Sequence, residues 1–450
     1  MDTIVAVATS PGRSAIGIIR LSGPESLEIL RGLIHDQLFT PEPRLVSLKQ
    51  ILKESGETLD STLVSYFERP HSFTGEDMVE LSCHGSPLIL RRVLDLTQSL
   101  GARLAEAGEF TLRACRNGKM NLSQAEAIRD LINAQTDAAA AQAARQLKGE
   151  LSAALQPAKE KLVQVIVKLE SALEFVEDDL PQIQAEQMES ELAEVVAIVK
   201  GLGDTFATGR ALREGVKITI AGRPNVGKSS LFNRLVGLNR AIVTEIAGTT
   251  RDSISESVSL GGIPISLTDT AGIRVANDKI EEIGVERTHQ AMADADLIVV
   301  VVDGSIQLSP ADLAIVRQAM STRHVVAVNK CDLTIDPDVE EQLGQTLKVV
   351  HLSALTGEGL EELTAAILEP FGAVDSETIG LLITDSRHYD VLLRAKASIE
   401  GAVETLKQSA SEEIVLVGLH SALEFLGEIT GETTTDEILD EIFSTFCIGK

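Results

Sequence analysis

The stretch Gly222-Arg223-Pro224-Asn225-Val226-Gly227-Lys228-Ser229 has the residue types and spacing for binding phosphate. It matches G-x-x-x-x-G-K-[ST], a glycine-rich turn whose backbone N–H groups close on phosphate oxygens at the start of a helix. Lys228 is placed to reach the β- and γ-phosphates and the Ser229 hydroxyl to ligate Mg²⁺, with Ser230 next in the helix. Three short motifs follow in order. Asp269-Thr270-Ala271-Gly272 offers a carboxylate that can hold Mg²⁺ through water and a Gly272 N–H that can meet the γ-phosphate. Asn329-Lys330-Cys331-Asp332 ends on a carboxylate able to accept two hydrogen bonds, from guanine N1–H and the exocyclic amine. Adenine has no such donor pair, so the motif selects GTP over ATP. Ser353-Ala354-Leu355 completes the base pocket. A lone D-x-x-G or N-K-x-D is weak evidence; four motifs in sequence, each after a β-prone run, carry the assignment.

The hydrolytic part is less explicit. Ala247-Gly248-Thr249-Thr250-Arg251-Asp252 lies between the first helix and the next strand, where a switch segment belongs, and Thr250 is the candidate second hydroxyl on Mg²⁺. The residue after Gly272 is Ile273, which cannot orient an attacking water as a glutamine does in Ras-like enzymes. Asn277-Asp278-Lys279-Ile280-Glu281-Glu282 supplies acidic candidates for that task. An arginine finger contributes about 10³–10⁵-fold, yet Arg251 and Arg274, the arginines nearby, are not obviously placed as one. A bound cation can take that role, and the Asn225 amide oxygen can face it.

These motifs need a β-turn-α framework, and the pattern supplies it from Val216 to about Leu368. Val216–Ile220 reads as a buried strand before the phosphate loop and Ser230–Leu235 as a helix after it. Pro264–Leu267, Val325–Val328 and Leu347–Leu352 read as the strands that carry the other motifs. The first 118 residues read as mixed α/β, with strands at Thr3–Thr9, Ala15–Leu21, Thr62–Phe67 and Met78–Cys83 and a helix at Leu88–Leu100. From Ser123 to about Leu202 the chain is rich in Ala, Gln, Glu, Leu and Lys and reads as long helices, opened by a capping box from Ser123 to Glu126. Helical spacing returns at Asp390–Leu406 and Leu416–Leu426. The expected architecture is multidomain α/β plus all-α. It comprises an N-terminal α+β domain (1–118), a discontinuous helical domain (119–210 plus 374–450) and an inserted Ras-like P-loop GTPase domain (211–373). Two separate small helical units are the alternative.

Composition bounds the partners. The chain has 450 residues, 44% hydrophobic, with 40 basic and 67 acidic residues and a formal charge of -27. That argues against a general basic surface for nucleic acid or an anionic membrane. With no Trp, 2 Tyr and 11 Phe, base stacking on an aromatic sheet is poorly supported. The acid is uneven: residues 1–118 carry net -3, 119–210 net -6, 211–373 net -8 and 374–450 net -10. Cys83, Cys115, Cys331 and Cys447 lack metal or pairing spacing, which fits a reducing compartment. The N-terminus has no basic segment followed by an apolar one, and the longest apolar run, Leu297–Val302, is six residues. The expectation is a cytoplasmic protein without a membrane span.

Taken together, the chain resembles the MnmE (TrmE) family of tRNA-modification GTPases over essentially its whole length. Asp2-Thr3-Ile4-Val5-Ala6 and Pro11-Gly12-Arg13 resemble the family's opening, and Ser72-Phe73-Thr74-Gly75-Glu76-Asp77 and His84-Gly85 its next block. Ala107–Thr111, Asn121–Ala127, Thr249–Asp252 and Cys447-Ile448-Gly449-Lys450 continue the match. The resemblance implies that the N-terminal domain has the fold of folate-dependent one-carbon enzymes, dimerises, and binds a tetrahydrofolate derivative in its 5-formyl or methylene form. Arg20, Glu80, Lys119 and Lys450 match the folate-contacting positions. Glu281 matches the catalytic acid. Asn225, Thr244, Ile246 and Thr249 match a potassium site, across which two G domains pair. Thr244, Glu245, Ile246, Ala247, Gly248, Thr249 and Thr250 would all touch the nucleotide. The family works with a flavin-dependent partner, MnmG (GidA), to add a (carboxymethyl)aminomethyl group at C5 of the wobble uridine of certain tRNAs. Cys447 is a catalytic thiol near folate or an exposed thiol without covalent chemistry. Lipidation is rejected, because Lys450 and Gly449 do not fit a prenylation box and no basic run precedes it.

The competing reading is a GTP-dependent switch for ribosome assembly or signalling. The four nucleotide motifs fit both; the N-terminal block and the terminal tetrapeptide favour tRNA modification.

Overall fold

The computed structural model describes residues 2–174, 182–238, 255–269, 291–344, 348–372, 380–408 and 412–449. The chain groups into two compact units, Met1–Arg129 with Gly427–Lys450, and Asp130–Leu426.

In the first unit, β-prone runs, most of them alternating between a buried and an open face, build a six-stranded sheet. Its strands are β1 (Ile4–Val7), β2 (Ile16–Ser22), β3 (Val46–Leu52), β4 (Thr58–Phe67), β5 (Met78–His84) and β6 (Arg103–Leu104), in the order β3-β4-β5-β2-β1-β6. All neighbours are antiparallel except β1 and β6. Val79, Leu81 and Cys83 of β5 are buried, whereas Glu80, Ser82 and His84 occupy the other face. Helices α1 (Ser26–Leu33) and α2 (Pro87–Ser99) supply Ile29, Leu30, Leu33, Leu90 and Val93 to that core. Two further helices, α3 (Glu109–Arg116) and α4 (Leu122–Asn133), follow. The strand β3 is not among those read from the sequence; its Val46 and Leu48 are exposed while Ile51 is buried.

The expected capping box is displaced by two residues. Helix α4 starts at Leu122, and Asn121 rather than Ser123 is its cap. The Asn121 side-chain oxygen accepts from Gln124 N at 2.9 Å, and the Gln124 side chain accepts from Asn121 N at 3.0 Å. Gln124 can return this bond as Glu126 cannot, because it sits three residues after the cap. Ser123 is inside the helix and fully buried.

In the second unit, the helical region contributes α5 (Asp137–Leu147), α6 (Glu150–Glu174), α7 (Gln182–Gly203) and α8 (Phe206–Glu214). Next come β7 (Val216–Ala221), α9 (Lys228–Leu238), β8 (Ser255–Leu260), β9 (Ile263–Asp269), β10 (Leu297–Asp303), α10 (Pro310–Ala319) and β11 (His324–Asn329). The series continues with α11 (Asp338–Leu343), β12 (Val349–His351) and α12 (Leu360–Leu368), and then α13 (Ser386–Lys407) and α14 (Glu412–Thr430). The sheet order is β12-β11-β10-β7-β9-β8, parallel except for the β8–β9 pair. Every residue of β10 is buried, because separate apolar clusters cover the two faces of the sheet. β7 lies between β9 and β10, where successive connections leave in opposite directions; ligands bind at the C-terminal ends of strands at such a point.

The last helix, α15 (Asp436–Ser444), belongs to the first unit. Phe443 and Phe446 pack with Leu122 and Ala125, and Ile448 bridges Ala107. The end of the region read as helical, 427–450, thus groups with the N-terminal unit.

Candidate functional site

The phosphate loop is shaped by backbone conformations that its residues suit. Gly222 has φ +147°, Asn225 +69° and Gly227 +105°. Glycine reaches such values without strain, and Asn is among the residues that tolerate the left-handed region. A Cβ on Gly222 would lie 2.3 Å from the Val301 carbonyl oxygen, and one on Gly227 2.1 Å from Asn329 Nδ2. Both positions are closed to any larger residue. Lys228 is buried, and its ammonium donates to the Gly222 and Arg223 carbonyls, each at 2.7 Å. The cation is therefore held on the loop itself. Ser229 Oγ, at the start of α9, donates to Asp269 Oδ2 at 2.9 Å. A hydroxyl from one motif and a carboxylate from another converge here, and two hard oxygens suit Mg²⁺.

The base side is tied to the phosphate side by one amide. Asn329, 2% exposed, donates from Nδ2 to the Val226 carbonyl at 2.7 Å and accepts at Oδ1 from Ala354 N at 2.9 Å. Three motifs thus meet on one side chain. Lys330 has φ +70° and pairs with Asp303, which stands opposite Asn329 at the C-terminal end of β10. Burial pushes the Asp303 carboxyl up, but Lys330 and Ser305 outweigh it and hold the group below the usual carboxylate range. Asp332 is exposed. Ser353 is fully buried and its Oγ accepts from Thr356 N at 3.1 Å, which shapes the loop Ser353-Ala354-Leu355.

Two contributors to this site were missed from sequence. One is Asp303; an acidic residue closing a six-residue apolar strand was a signal that could have found it. The other is Asp312, 1% exposed, which receives Arg223 Nε at 2.6 Å and caps α10 with Ser309. Burial raises its pKa, while Arg223 and Ser309 together lower it further. Nothing in the sequence separated Asp312 from other helix-start carboxylates.

Of the expected nucleotide, metal and catalytic residues, Thr244, Glu245, Ile246, Ala247, Gly248, Thr249, Thr250, Arg251, Thr270, Ala271, Gly272, Arg274 and Glu281 lie outside the described residues, as does Lys450 of the folate set. Asn225, Ser229 and Ser230 are exposed around the loop, and Val226 is buried beneath it.

The first unit holds a second polar centre. Arg20 and Glu80 stand opposite each other on β2 and β5. Arg20 contacts Glu80 Oε1 through Nε at 2.9 Å and Nη2 at 2.7 Å. Arg20 Nη1 also donates to the Gly449 carbonyl at 3.4 Å, so the chain's last residues return to this pair. Phe73 and Phe110 flank the guanidinium, at 5.6 and 5.8 Å from ring centre to Cζ. Lys119 is bound elsewhere: its ammonium donates to the Pro70 carbonyl at 2.8 Å and its stem lies against Gly75. The segment Phe73–Gly75 therefore has Arg20 at one end and Lys119 at the other. This segment is itself pinned. Thr74 is buried against Ser22 Oγ at 2.6 Å, and Glu76 meets Arg113 at 3.2 Å. Cys447 is exposed and its carbonyl accepts from Gly108 N at 3.5 Å. The Arg20 guanidinium, the Glu80 carboxylate and the half-buried Phe73 ring lie together, with Phe110 fully buried behind them, and a charged pair beside an aromatic ring is a donor set compatible with a heteroaromatic acid such as a folate.

Among the described residues, no helix is long and apolar enough to cross a membrane. A family model described as the MnmE helical domain matches residues 122–447, and one described as the N-terminus of the GTP-binding protein TrmE matches residues 3–119. The chain is 46% identical over 450 residues to the tRNA modification GTPase MnmE of Aquifex aeolicus, covering 100% of each chain. It is 45% identical over 454 residues to the tRNA modification GTPase MnmE of Koribacter versatilis, covering 100% of this chain and 99% of that one. Among solved structures it is similar to the G domain of the T. maritima FeoB iron transporter. That likeness is 29% identical, covers 35% of this chain and 99% of that one, and has a TM-score of 0.28.

Proposed function

The chain belongs to the MnmE (TrmE) family of tRNA-modification GTPases, and from that premise we propose how its residues divide the work. It is a GTP hydrolase involved in tRNA modification. The proposal is that it works with a flavin-dependent partner, MnmG (GidA), to add a (carboxymethyl)aminomethyl group at C5 of the wobble uridine, using a folate-derived one-carbon unit. The observation that carries the nucleotide half is the Asn329 bridge, which ties the phosphate loop to the base loop through two buried hydrogen bonds.

In this reading the backbone around Gly227 and the Lys228 ammonium hold the phosphates. Asp332 accepts from the guanine edge, and the loop at Ser353 and Ala354 closes over the base. Ser229 and Thr250 would hold Mg²⁺ through their hydroxyls, and Asp269 would hold it through water. Mg²⁺ bound there supplies charge neutralisation to the transferring phosphoryl group. Glu281 orients the water that Ile273 cannot. Asn225, with Thr244, Ile246 and Thr249, holds potassium. K⁺ in that position supplies the positive charge of a missing arginine finger when two G domains pair.

In the N-terminal unit, Arg20 and Glu80 would bind the folate, with Lys119, Lys450 and the tail at the edge. The open sheet face, with Ile16, Val46, Leu48 and Leu63 exposed, supports a homodimer. The three-domain division at 118, 210 and 373 remains part of the proposal. The charge distribution, net -3 for residues 1–118 against -24 for the rest, predicts local, salt-sensitive tRNA contact made mainly with the partner's help. Hydrolysis assays with GTP and ATP, each in K⁺ and in Na⁺, test the nucleotide half. GTP turnover faster in K⁺ is expected; equal GTP and ATP rates contradict the base reading, and equal rates in the two salts contradict the cation finger.

A further inference from the structure

We infer that Arg234 is a positioning residue that braces the guanine-binding loop against the phosphate-binding helix and so sets the lifetime of the bound nucleotide. The inference rests on the guanine-nucleotide reading of the site. Arg234 lies on α9, the helix that opens with Lys228 and Ser229. Six residues along a helix is about 9 Å, so one rigid element carries the phosphate ligands at its start and Arg234 further along. Arg234 Nη2 donates to the Leu355 carbonyl at 2.5 Å. Leu355 is the tip of the loop that follows Ser353 and Ala354, and its side chain is 78% exposed. Packing therefore does little to hold that tip. Asn329 ties the loop at Ala354 N, and Arg234 ties it one residue later.

The loop is also shaped to receive the guanidinium. Gly357, at φ +97°, donates its N–H to the Ser353 carbonyl at 2.8 Å and turns the chain back. A Cβ built on Gly357 would stand 3.7 Å from Arg234 Cζ and Nη2, so the guanidinium lies along the turn in ordinary contact. A cationic donor on a carbonyl is a charge-assisted bond, weakened here by solvent. Losing it frees the tip to swing, which opens the base side of the site before the phosphates release. The effect falls on nucleotide dissociation and not on the phosphoryl-transfer step, because the contacts of Arg234 among the described residues are with the base-side loop, at Leu355 and Gly357.

The test is the dissociation rate of a fluorescent GDP from the full-length chain, in wild type, Arg234→Ala and Arg234→Lys. Arg234→Ala should release GDP about three- to ten-fold faster and raise Kd by the same factor, while kcat at saturating GTP stays within about two-fold. Arg234→Lys, whose ammonium can still reach the Leu355 carbonyl, should recover most of the loss. An unchanged release rate in Arg234→Ala overturns the inference. So does an Arg234→Lys variant as fast as Arg234→Ala, since general weakening of α9 and not the carbonyl brace would then be at work. A wild-type chain that binds fluorescent ADP as well as GDP would sink the guanine reading, and this inference with it; guanine preference with an unaltered Arg234→Ala sinks this inference alone.

Discussion

Truncating Asn329 to alanine removes a side chain that joins three motifs. It strands the Val226 carbonyl and the Ala354 N–H, whose residues are 2% and 6% exposed. A stranded buried polar group costs about 1–3 kcal/mol, so the two together cost about 2–6 kcal/mol, with the lower end reached if a water enters the space. The loops can relieve that cost by opening to solvent, and nucleotide binding must then close them again. Taking about 2 kcal/mol as the share that reaches binding, affinity for GDP falls about 30-fold. Asn329→Asp sharpens the prediction. It is nearly isosteric and keeps an acceptor for Ala354 N, but it sets a carboxylate oxygen against the Val226 carbonyl, where Nδ2 now donates at 2.7 Å. It should bind GDP no better than Asn329→Ala. Equilibrium titration with fluorescent GDP, alongside thermal melting, measures both. Asn329→Ala within three-fold of wild type, or Asn329→Asp with wild-type affinity, would refute the bridging role.

Asp332→Asn should shift base preference from guanine toward xanthine nucleotides in competition binding; an unchanged preference for GTP counts against the base contact. Glu281→Ala should abolish turnover in a phosphate-release assay while leaving nucleotide affinity within a few-fold of wild type. The pKa values of Asp303 and Asp312 lie below the ordinary carboxylate value of 3.8 in the folded chain. Their ion pairs therefore contribute stability that is present above about pH 4 and is lost as pH falls through the lower folded values. Melting curves from pH 7 to 3 should show Asp312→Asn less stable than wild type at pH 7 and converging on it in acid; a constant difference across the range would exclude that linkage.

The elements that carry the nucleotide motifs were legible because each is a short, mostly apolar, β-prone run ending at a polar motif. Val216–Ala221, Ile263–Asp269 and His324–Asn329 all follow that form. A parallel sheet covered on both faces demands such runs. The N-terminal strands β1, β2, β4 and β5 were visible as β-prone runs, whereas in β3 the apolar residues do not share one buried face: Val46 and Leu48 are exposed, Ile51 is buried, and the register shifts after it. What sequence did not convey was the tertiary use of ordinary residues. Asn329 was legible as part of a motif, but its double hydrogen bond depends on Val226 and Ala354 arriving from 103 and 25 positions away. The Arg223–Asp312 and Lys330–Asp303 pairs join positions 89 and 27 apart, and no local pattern encodes them. At α4 the Ser123–Glu126 spacing matches a capping box, but the helix begins one residue before Ser123, so the reciprocal bonds form between Asn121 and Gln124 instead.

The central claim is that GTP hydrolysis by this chain serves wobble-uridine modification. Mass analysis of nucleosides from the tRNA of a strain lacking the chain, with and without the wild-type copy restored, tests it most directly. Loss of the C5-modified wobble uridines, and their return on restoration, is the predicted result. An unchanged wobble-uridine profile in the deletion strain would contradict the account.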